Sequence, residues 1–363
     1  MKHNANNERI KHKYFDFLKE AKRQSEASVD AVAMAISRFE QQTDYKDFKK
    51  FHYEQAKAFK SHLAKQTNQQ TGKPLSKATL HSTTRHLKTF FQWLSMQAGY
   101  VSKLNYSEMD YFNVSEKDAR IANAKRPLRV PTVEQIKRVL NEMPNTTEIE
   151  CRNRALIAFT LLSGARDSAI ASISLKHVDL QNDAVFQDAR DVDTKYSKTF
   201  TSYFFPVGAE IRQIVVDWLA YLRNEKLFGN DDPLFPKSFM VQNERQEFEV
   251  GGIKTEFWST ASPIRAIFKQ AFEGAGLQYF NPHSFRKTLA SLGEQVCQTP
   301  EEFKAWSQNL GHDQVLTTFT SYGEVQQHRQ CEVFNSLRNP VPKTTRSDAV
   351  ALARAVLANE GRG

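Results

Sequence analysis

Apolar residues in the first third of the chain recur at the three-to-four spacing of amphipathic helices. One such segment begins at residues 14–18, and a second covers residues 29–39, with Ser28 as its predicted N-cap. The same spacing predicts helices over residues 53–63 and 76–94. We therefore expect a helical domain at the start of the chain.

The last of these helices carries basic side chains beside its apolar stripe. Lys77, His81, Arg85 and Lys88 fall on one face of it. Such a face suits contact with the phosphates of DNA, and it equally suits a solvated helix surface. Spacing alone does not separate these two interpretations.

A charged segment with two prolines near its end, residues 116–131, indicates a linker between domains. We predict a helical domain over residues 1–114, a basic linker over 115–131, a second domain over 132–338 and a tail over 339–363. The linker residues Arg126 and Arg129 are candidates for contact with a DNA backbone. Thr132 opens the second domain with a capping-box pattern.

The second domain mixes helices with a few strands. Helical patterns cover residues 149–162, 210–222, 263–272, 285–296 and 300–310. β-branched and aromatic residues over 184–186 and 199–207 predict a short antiparallel sheet, and the polar stretch 229–252 has the character of an insertion loop. The predicted fold is mainly α with a small antiparallel β-sheet.

Charge and cysteine content narrow the function classes. The net charge of +9 and the isoelectric point near 9.3 favour a polyanionic partner such as nucleic acid. Three cysteines without a C-x-x-C pair argue against a zinc site and against a disulfide framework. No segment has signal-peptide character or membrane-spanning length, so we expect a cytoplasmic protein without a membrane partner.

The most informative chemistry lies between residues 282 and 322. His283, Arg286, His312 and Tyr322 follow one another there, and Arg166 lies upstream at a Gly-containing helix junction. Two guanidinium groups can hold a phosphate, and a tyrosine oxygen can attack phosphorus and keep the fragment covalently bound. These residue types suit the breaking of a phosphodiester without a metal, and the missing piece is a proton donor for the leaving hydroxyl.

These motifs, in this order, resemble the tyrosine recombinases, also called the phage integrase family. The segments around Arg166 and His283–Arg286 resemble its two catalytic arginine motifs, and Leu310-Gly311-His312 resembles its second histidine motif. Tyr322 matches the nucleophile. Lys198 matches the β-hairpin lysine, and Lys195 remains its rival.

The resemblance implies a role for each residue. Arg166 and Arg286 would hold the scissile phosphate, and His283 and His312 would hydrogen-bond the phosphoryl group, with His283 accepting the tyrosine proton. Lys198 would protonate the departing 5′-hydroxyl, and Tyr322 would hold the 3′-phosphate. Neither a metal nor another cofactor is required.

Two positions depart from the family pattern. Ala169 stands where the family often has an acidic residue three positions after the first arginine. Ten positions separate His312 from Tyr322, one more than is common in the family.

The resemblance predicts a site-specific recombinase, most simply the integrase of a mobile element. Chromosome-dimer resolution and DNA inversion are alternatives within the family. A type IB topoisomerase-like enzyme and a non-catalytic DNA-binding protein are alternatives outside it. The expected partners are double-stranded DNA, further copies of the chain as a tetramer on paired sites, and accessory DNA-bending proteins. A helical pattern over residues 347–359 suggests a segment that docks on a neighbouring protomer or packs on its own domain.

Overall fold

The computed structural model describes residues 3–68, 72–124, 129–242, 246 and 248–312. The chain forms two compact units, Met1–Arg126 and Pro127–Gly363. The division falls inside the segment 115–131 that the sequence predicts as a linker.

The first unit is helical. Its helices are α1 (Ala5–Asp16), α2 (Glu26–Gln42), α3 (Tyr53–Lys65), α4 (Lys77–Ser95) and α5 (Glu116–Asn123). The predicted cap of α2 is wrong by one turn, because Ser25 caps this helix by accepting a hydrogen bond from the backbone N–H of Ser28. Serine suits either position, so sequence spacing does not distinguish them.

Aromatic rings fill the core of this unit. Phe39 on α2 packs edge-on against Phe59 of α3 and Phe91 of α4, with ring centroids 5.4 and 5.2 Å apart. Phe51 stacks on Phe91 at 4.2 Å. Because these rings join three helices, their burial fixes the face that each helix presents outward.

The first half of the predicted linker is a helix. Ser115 caps α5, and Asp118 in its first turn pairs with Lys77 of α4 at 2.8 Å. This ion pair and the helical structure place residues 116–123 with the first unit.

The second unit contains seven α-helices and five strands within the described residues. The helices are α6 (Val133–Glu142), α7 (Glu148–Ser163), α8 (Asp167–Ser172), α9 (Ala209–Asn224), α10 (Ser262–Gly274), α11 (Pro282–Val296) and α12 (Pro300–Asn309). The strands are β1 (Val178–Asp179), β2 (Ala184–Gln187), β3 (Phe200–Tyr203), β4 (Lys237–Gln242) and β5 (Phe248–Lys254). The predicted capping box of Thr132 is confirmed at the start of α6.

Helix α7 runs through the centre of this unit, and its residues from Ala155 to Ser163 are buried on every face. Strands β1, β2 and β3 form the predicted antiparallel sheet in that order. In the register of this sheet, Ala184 pairs with Tyr203 and Gln187 pairs with Phe200. The expectation of a mainly α fold with a small antiparallel sheet is confirmed.

The predicted insertion loop at 229–252 is wrong for its second half, which forms the antiparallel hairpin β4–β5. Glu148 of α7 anchors this hairpin by accepting a hydrogen bond from the Ile253 N–H at 2.9 Å, and it also accepts from the hydroxyl of Tyr221 on α9 at 3.0 Å. The buried Arg152 donates to the carbonyl of Pro236. Contacts with α7 therefore stabilise the hairpin. Within the described residues, no helix is long and apolar enough to cross a membrane.

Candidate active site

A left-handed turn brings Arg166 out of the core. Gly164 ends α7 with φ 64° and ψ 16°, a conformation that glycine adopts without steric cost. Arg166 then precedes the first residue of α8 and is half-buried. The predicted helix junction at this arginine is confirmed.

His283 and Arg286 both lie in the first turns of α11. The sequence pattern predicts a start near Phe285, but the helix begins at Pro282, and the side chain of Asn281 caps it by accepting from the Ser284 N–H at 3.0 Å. Proline suits the first turn because that turn does not use its N–H. His283 is the more exposed of the two site residues, and Arg286 is 5% exposed.

Arg286 joins two distant segments of the chain. Its guanidinium donates to the carbonyl oxygens of Gly164 and Leu310, and it lies 3.3 Å from Nε2 of His312. Burial and the charge of Arg166 lower the pKa of Arg286 to about 9, so the group is charged at neutral pH. Among the described residues, no carboxylate pairs with it. A buried cation in this state favours an anion as its ligand.

Lys198 and His312 line one surface pocket of about 520 Å³. Lys198 precedes β3 and is half-buried, and it contributes to the electrostatic environment of His312. Lys195 is exposed, with its ammonium 4.7 Å from the ring centre of Tyr196. Of the two rival lysines, Lys198 is the one that lines the pocket together with His312.

Positive charge surrounds both imidazoles. Burial, followed by the charges of Arg286 and Arg166, lowers the pKa of His312 to about 4. Burial and the neighbouring cations Arg286, Lys287 and Arg166 also lower the pKa of His283. Both rings are therefore neutral at pH 7, and each neutral ring has one nitrogen that accepts a proton and one that donates.

Five of the six predicted catalytic residues lie close enough together for their charges to influence the pKa values within the site. They are Arg166, Lys198, His283, Arg286 and His312. The sixth, Tyr322, lies outside the described residues. Arg286 contacts the backbone of both the Arg166 turn and the His312 segment, which explains how segments more than a hundred positions apart form one cationic site.

The departure at Ala169 has a structural counterpart. Ala169 is buried, with 1% exposure, in the core of the unit. The nearby acid Asp167 instead accepts from Nε of Arg265 on α10 at 2.8 Å. Asp167 also acts to raise the pKa of His283, against the surrounding cations.

The candidate DNA-binding residues differ in their surroundings. Lys77 pairs with Asp118 at 2.8 Å, and Lys88 pairs with Asp110 at 2.7 Å. His81 is half-buried on α4, whereas Arg85 on α4 and Arg129 before α6 are exposed. Arg126 lies outside the described residues.

Sequence reasoning missed three contributors to the site. The carbonyls of Gly164 and Leu310 carry no sequence signal, because every residue has a carbonyl. The Asp167–Arg265 pair joins positions too far apart for local spacing to show it.

In the described part of the chain, no group of three His, Cys, Asp or Glu side chains is arranged to hold a metal.

Comparison with known proteins gives a consistent family. A model of the phage integrase family matches residues 129–329, more than half of the chain. Tyrosine recombinase XerC 2 of Ralstonia nicotianae is 22% identical over 249 residues, which are 68% of this chain and 61% of that protein. Tyrosine recombinase XerC of Actinobacillus succinogenes is 25% identical over 185 residues, 51% of this chain and 53% of that protein. The chain thus spans about half to three fifths of the length of these curated relatives.

Solved structures agree on the fold. A lambda integrase dimer bound to a COC′ core site matches with a TM-score of 0.58 and 12% identity, covering 88% of this chain and 80% of that one. The Tn1549 transposon integrase in complex with a circular intermediate DNA matches with a TM-score of 0.59 and 14% identity, covering 90% of this chain and 99% of that one. With the family model matched across the motifs of the cationic site, the chain belongs to the phage integrase family, the tyrosine recombinases.

Proposed function

We propose that this protein is a site-specific DNA recombinase that cuts and rejoins strands through a 3′-phosphotyrosyl intermediate on Tyr322. The observation that carries the proposal is the convergence of Arg166, Lys198, His283 and His312 around the buried, carboxylate-free Arg286. A site with this charge and these donors suits a phosphodiester whose negative charge grows in the transition state.

Each step of the proposed reaction has a residue to perform it. The phenol oxygen of Tyr322 attacks phosphorus while its proton passes to the neutral His283. The bond from phosphorus to the 5′-oxygen then breaks, and Lys198 protonates that oxygen. Arg166 and Arg286 neutralise the phosphoryl oxygens, with His312 as a further hydrogen-bond donor. A 5′-hydroxyl from another strand reverses the sequence and releases Tyr322.

The proposed substrate is double-stranded DNA, which the protein meets in the cytoplasm. We assign the helical unit as the core-DNA-binding domain, with Arg85 and Arg129 as exposed candidates for phosphate contact. We further propose that copies of the chain assemble as a tetramer on paired sites. A lambda integrase tetramer bound to a Holliday junction shares the fold, with a TM-score of 0.56 and 12% identity over 89% of this chain and 81% of that one.

For the biological role we propose integration of a mobile element, because the Tn1549 transposon integrase shares this fold. The second candidate is chromosome-dimer resolution, which the XerC names of the curated relatives favour. Recombination assays compare two plasmids that carry one site each with a single plasmid that carries two sites. Joining of the two plasmids would favour integration, and division of the single plasmid would favour resolution.

The chemistry is tested with a pool of DNA duplexes that have a randomised central region. Duplexes that remain attached to the protein after denaturation are recovered and sequenced, which identifies both the site and the scissile bond. Covalent attachment through a 3′-phosphate is expected, and its complete absence would refute the proposal. Relaxation of a supercoiled plasmid that lacks the selected site would instead favour the topoisomerase-like alternative.

A further inference from the structure

Asn309, the last residue of α12, makes a paired contact with the edge of the three-stranded sheet. Its Oδ1 accepts from the backbone N–H of Tyr203 at 2.6 Å, and its Nδ2 donates to the carbonyl of the same residue at 2.8 Å. An asparagine amide offers a donor and an acceptor side by side, as a residue of a neighbouring strand does. Asn309 therefore occupies the place of a partner strand at Tyr203.

The position of β3 makes this contact consequential. In the described sheet β3 pairs only with β2, so the N–H and C=O of Tyr203 that point away from β2 lie on an edge. The strand is four residues long, and it follows directly on the segment that carries Lys198. The contact with Asn309 therefore holds the last residue of a short strand.

A second contact acts at the other end of β3. Gly311 has φ 67°, and a Cβ placed there would lie 2.8 Å from the ring of Phe200. The ring of Phe200 in turn lies 6.0 Å from the ammonium of Lys198. The segment 309–311 thus touches both ends of β3, immediately before His312.

We propose that Asn309 is a positioning residue that registers the Lys198 segment against His312. The paired hydrogen bonds to Tyr203 hold β3 on the 309–312 segment, so that the lysine and the histidine face the same pocket. This inference rests on the proposed function of Lys198 as the donor of a proton to the departing 5′-oxygen. Asn309 itself touches no reacting atom.

The test uses two forms of the selected duplex, one with the natural 5′-oxygen at the scissile bond and one with sulfur in its place. A thiolate leaves without being protonated, because thiols are far more acidic than alcohols. A defect that comes from a misplaced proton donor therefore disappears with the sulfur substrate, whereas a general structural defect remains. Lys198→Ala gives the reference behaviour for loss of the donor.

Asn309→Ala in the full chain is expected to slow cleavage of ordinary DNA by about tenfold or more, since general acid catalysis contributes roughly 10²–10⁴-fold. On the sulfur substrate its rate should return close to that of the wild-type protein. Asn182→Ala is the matched control, because that amide also bonds within the sheet region, to Asp179 at 2.6 Å, but lies at the β1–β2 turn. It should cleave both substrates at the wild-type rate.

Asn309→Asp provides a second variant of nearly the same size. It keeps an acceptor for the Tyr203 N–H and loses the donor to the Tyr203 carbonyl, so it should show the same selective defect. It takes the place of Asn309→Ala if that variant does not fold. Equal slowing of either variant on both substrates, or no slowing on ordinary DNA, would overturn the positioning role. If the wild-type protein forms no adduct with either substrate, the proposed function fails and the positioning role fails with it.

Discussion

A single guanidinium organises the candidate site. Arg286 is buried, donates to two backbone carbonyls and approaches His312, so its position is set by contacts with the Arg166 turn and the His312 segment. A lysine at this position would keep the charge but lose the planar fork of donors. The identity of the residue therefore matters as much as its charge.

Arg286→Lys is expected to reduce the rate of covalent adduct formation by about 10²–10³-fold, the usual effect of losing a donor to transition-state charge. The matched control is Arg212→Lys, because Arg212 lies in the same unit and its guanidinium also donates to two partners, here the Asp183 carboxylate and the Leu180 carbonyl. Single-turnover cleavage rates measure both variants. An Arg286→Lys rate within twofold or so of wild type would contradict the assigned role.

His312 should titrate far below an ordinary histidine. Burial and the surrounding arginines lower its pKa to about 4, and a bound DNA phosphate should raise this pKa because it opposes the arginine charges. NMR titration of the ring with and without the DNA site measures both values. The pKa of His177, whose Nδ1 accepts from the Ser174 N–H at 3.1 Å, serves as the reference for a structural histidine. A free-protein value near 6.5 for His312 would contradict the described electrostatics.

The same shift links stability to pH. Between about pH 4 and 6.5 the unfolded chain binds more protons at His312 than the folded chain does, because the folded pKa is the lower one. The free energy of unfolding should therefore fall as pH decreases through this window. His312→Gln should lessen that fall, as urea unfolding at several pH values would record.

For individual residues, the sequence predicts the reactive residue types but not their surroundings. Arg166, His283, Arg286 and His312 follow from motif order, since the spacing of their types is distinctive. The carbonyls that hold Arg286 depend on which segments the fold brings together. Asn309 escapes notice because its function lies in a contact with Tyr203, 106 positions away.

Among the elements, the turn between α7 and α8 holds a position that is sensitive to backbone strain. A Cβ at Gly164 would lie 3.0 Å from Phe205 and 3.2 Å from Leu310, in a backbone conformation with positive φ. The carbonyl of the same residue accepts from Arg286. A substitution at Gly164 is therefore expected to affect both stability and activity.

Gly164→Ala should lower the free energy of unfolding by about 2 kcal/mol, from the left-handed conformation and the close contacts together. It should also slow cleavage, because the turn holds Arg286. Gly274→Ala is the control: it lies in α10 with nothing near its Cβ position, so the change should be neutral or stabilising by up to about 1 kcal/mol. Urea unfolding measures both, and equal stabilities of the two variants would contradict the description of the turn.

Helices were more predictable from sequence than the second hairpin. Helix α4 buries Leu87, Phe90, Phe91 and Leu94, four of the five residues whose spacing predicts it, and leaves the fifth, Leu80, half-buried. The hairpin β4–β5 escapes prediction because contacts with Glu148 and Arg152 on α7 stabilise it. Long-range anchors of this kind leave no periodic pattern in the strands themselves.

For the whole molecule, the net charge of +9 predicts DNA binding that weakens steeply with salt. Arg85→Ala and Arg129→Ala should each weaken binding and reduce the slope of log affinity against log salt by about 1 if each arginine contacts one phosphate. Lys77→Ala and Lys88→Ala should have smaller effects, because Asp118 and Asp110 already pair with these lysines. Affinity titrations over a range of salt concentrations test this order, and larger losses from the two lysines would reverse the assignment.

Assembly is the other property of the whole molecule. If the segment 347–359 docks on a neighbouring protomer, a chain that ends at Asn339 should bind a single site and fail to form the higher assembly on paired sites. Gel filtration of the protein–DNA complexes compares the two lengths. Unchanged assembly by the shorter chain would contradict docking by that segment.

The most direct test of the central claim is covalent capture by Tyr322. Wild-type protein and Tyr322→Phe are incubated with a nicked duplex that carries the selected site, and the products are separated under denaturing conditions. The account predicts a protein–DNA adduct through the 3′-phosphate for the wild type and none for Tyr322→Phe, with DNA affinity unchanged between them. An undiminished adduct in Tyr322→Phe, or none in the wild type, would contradict it.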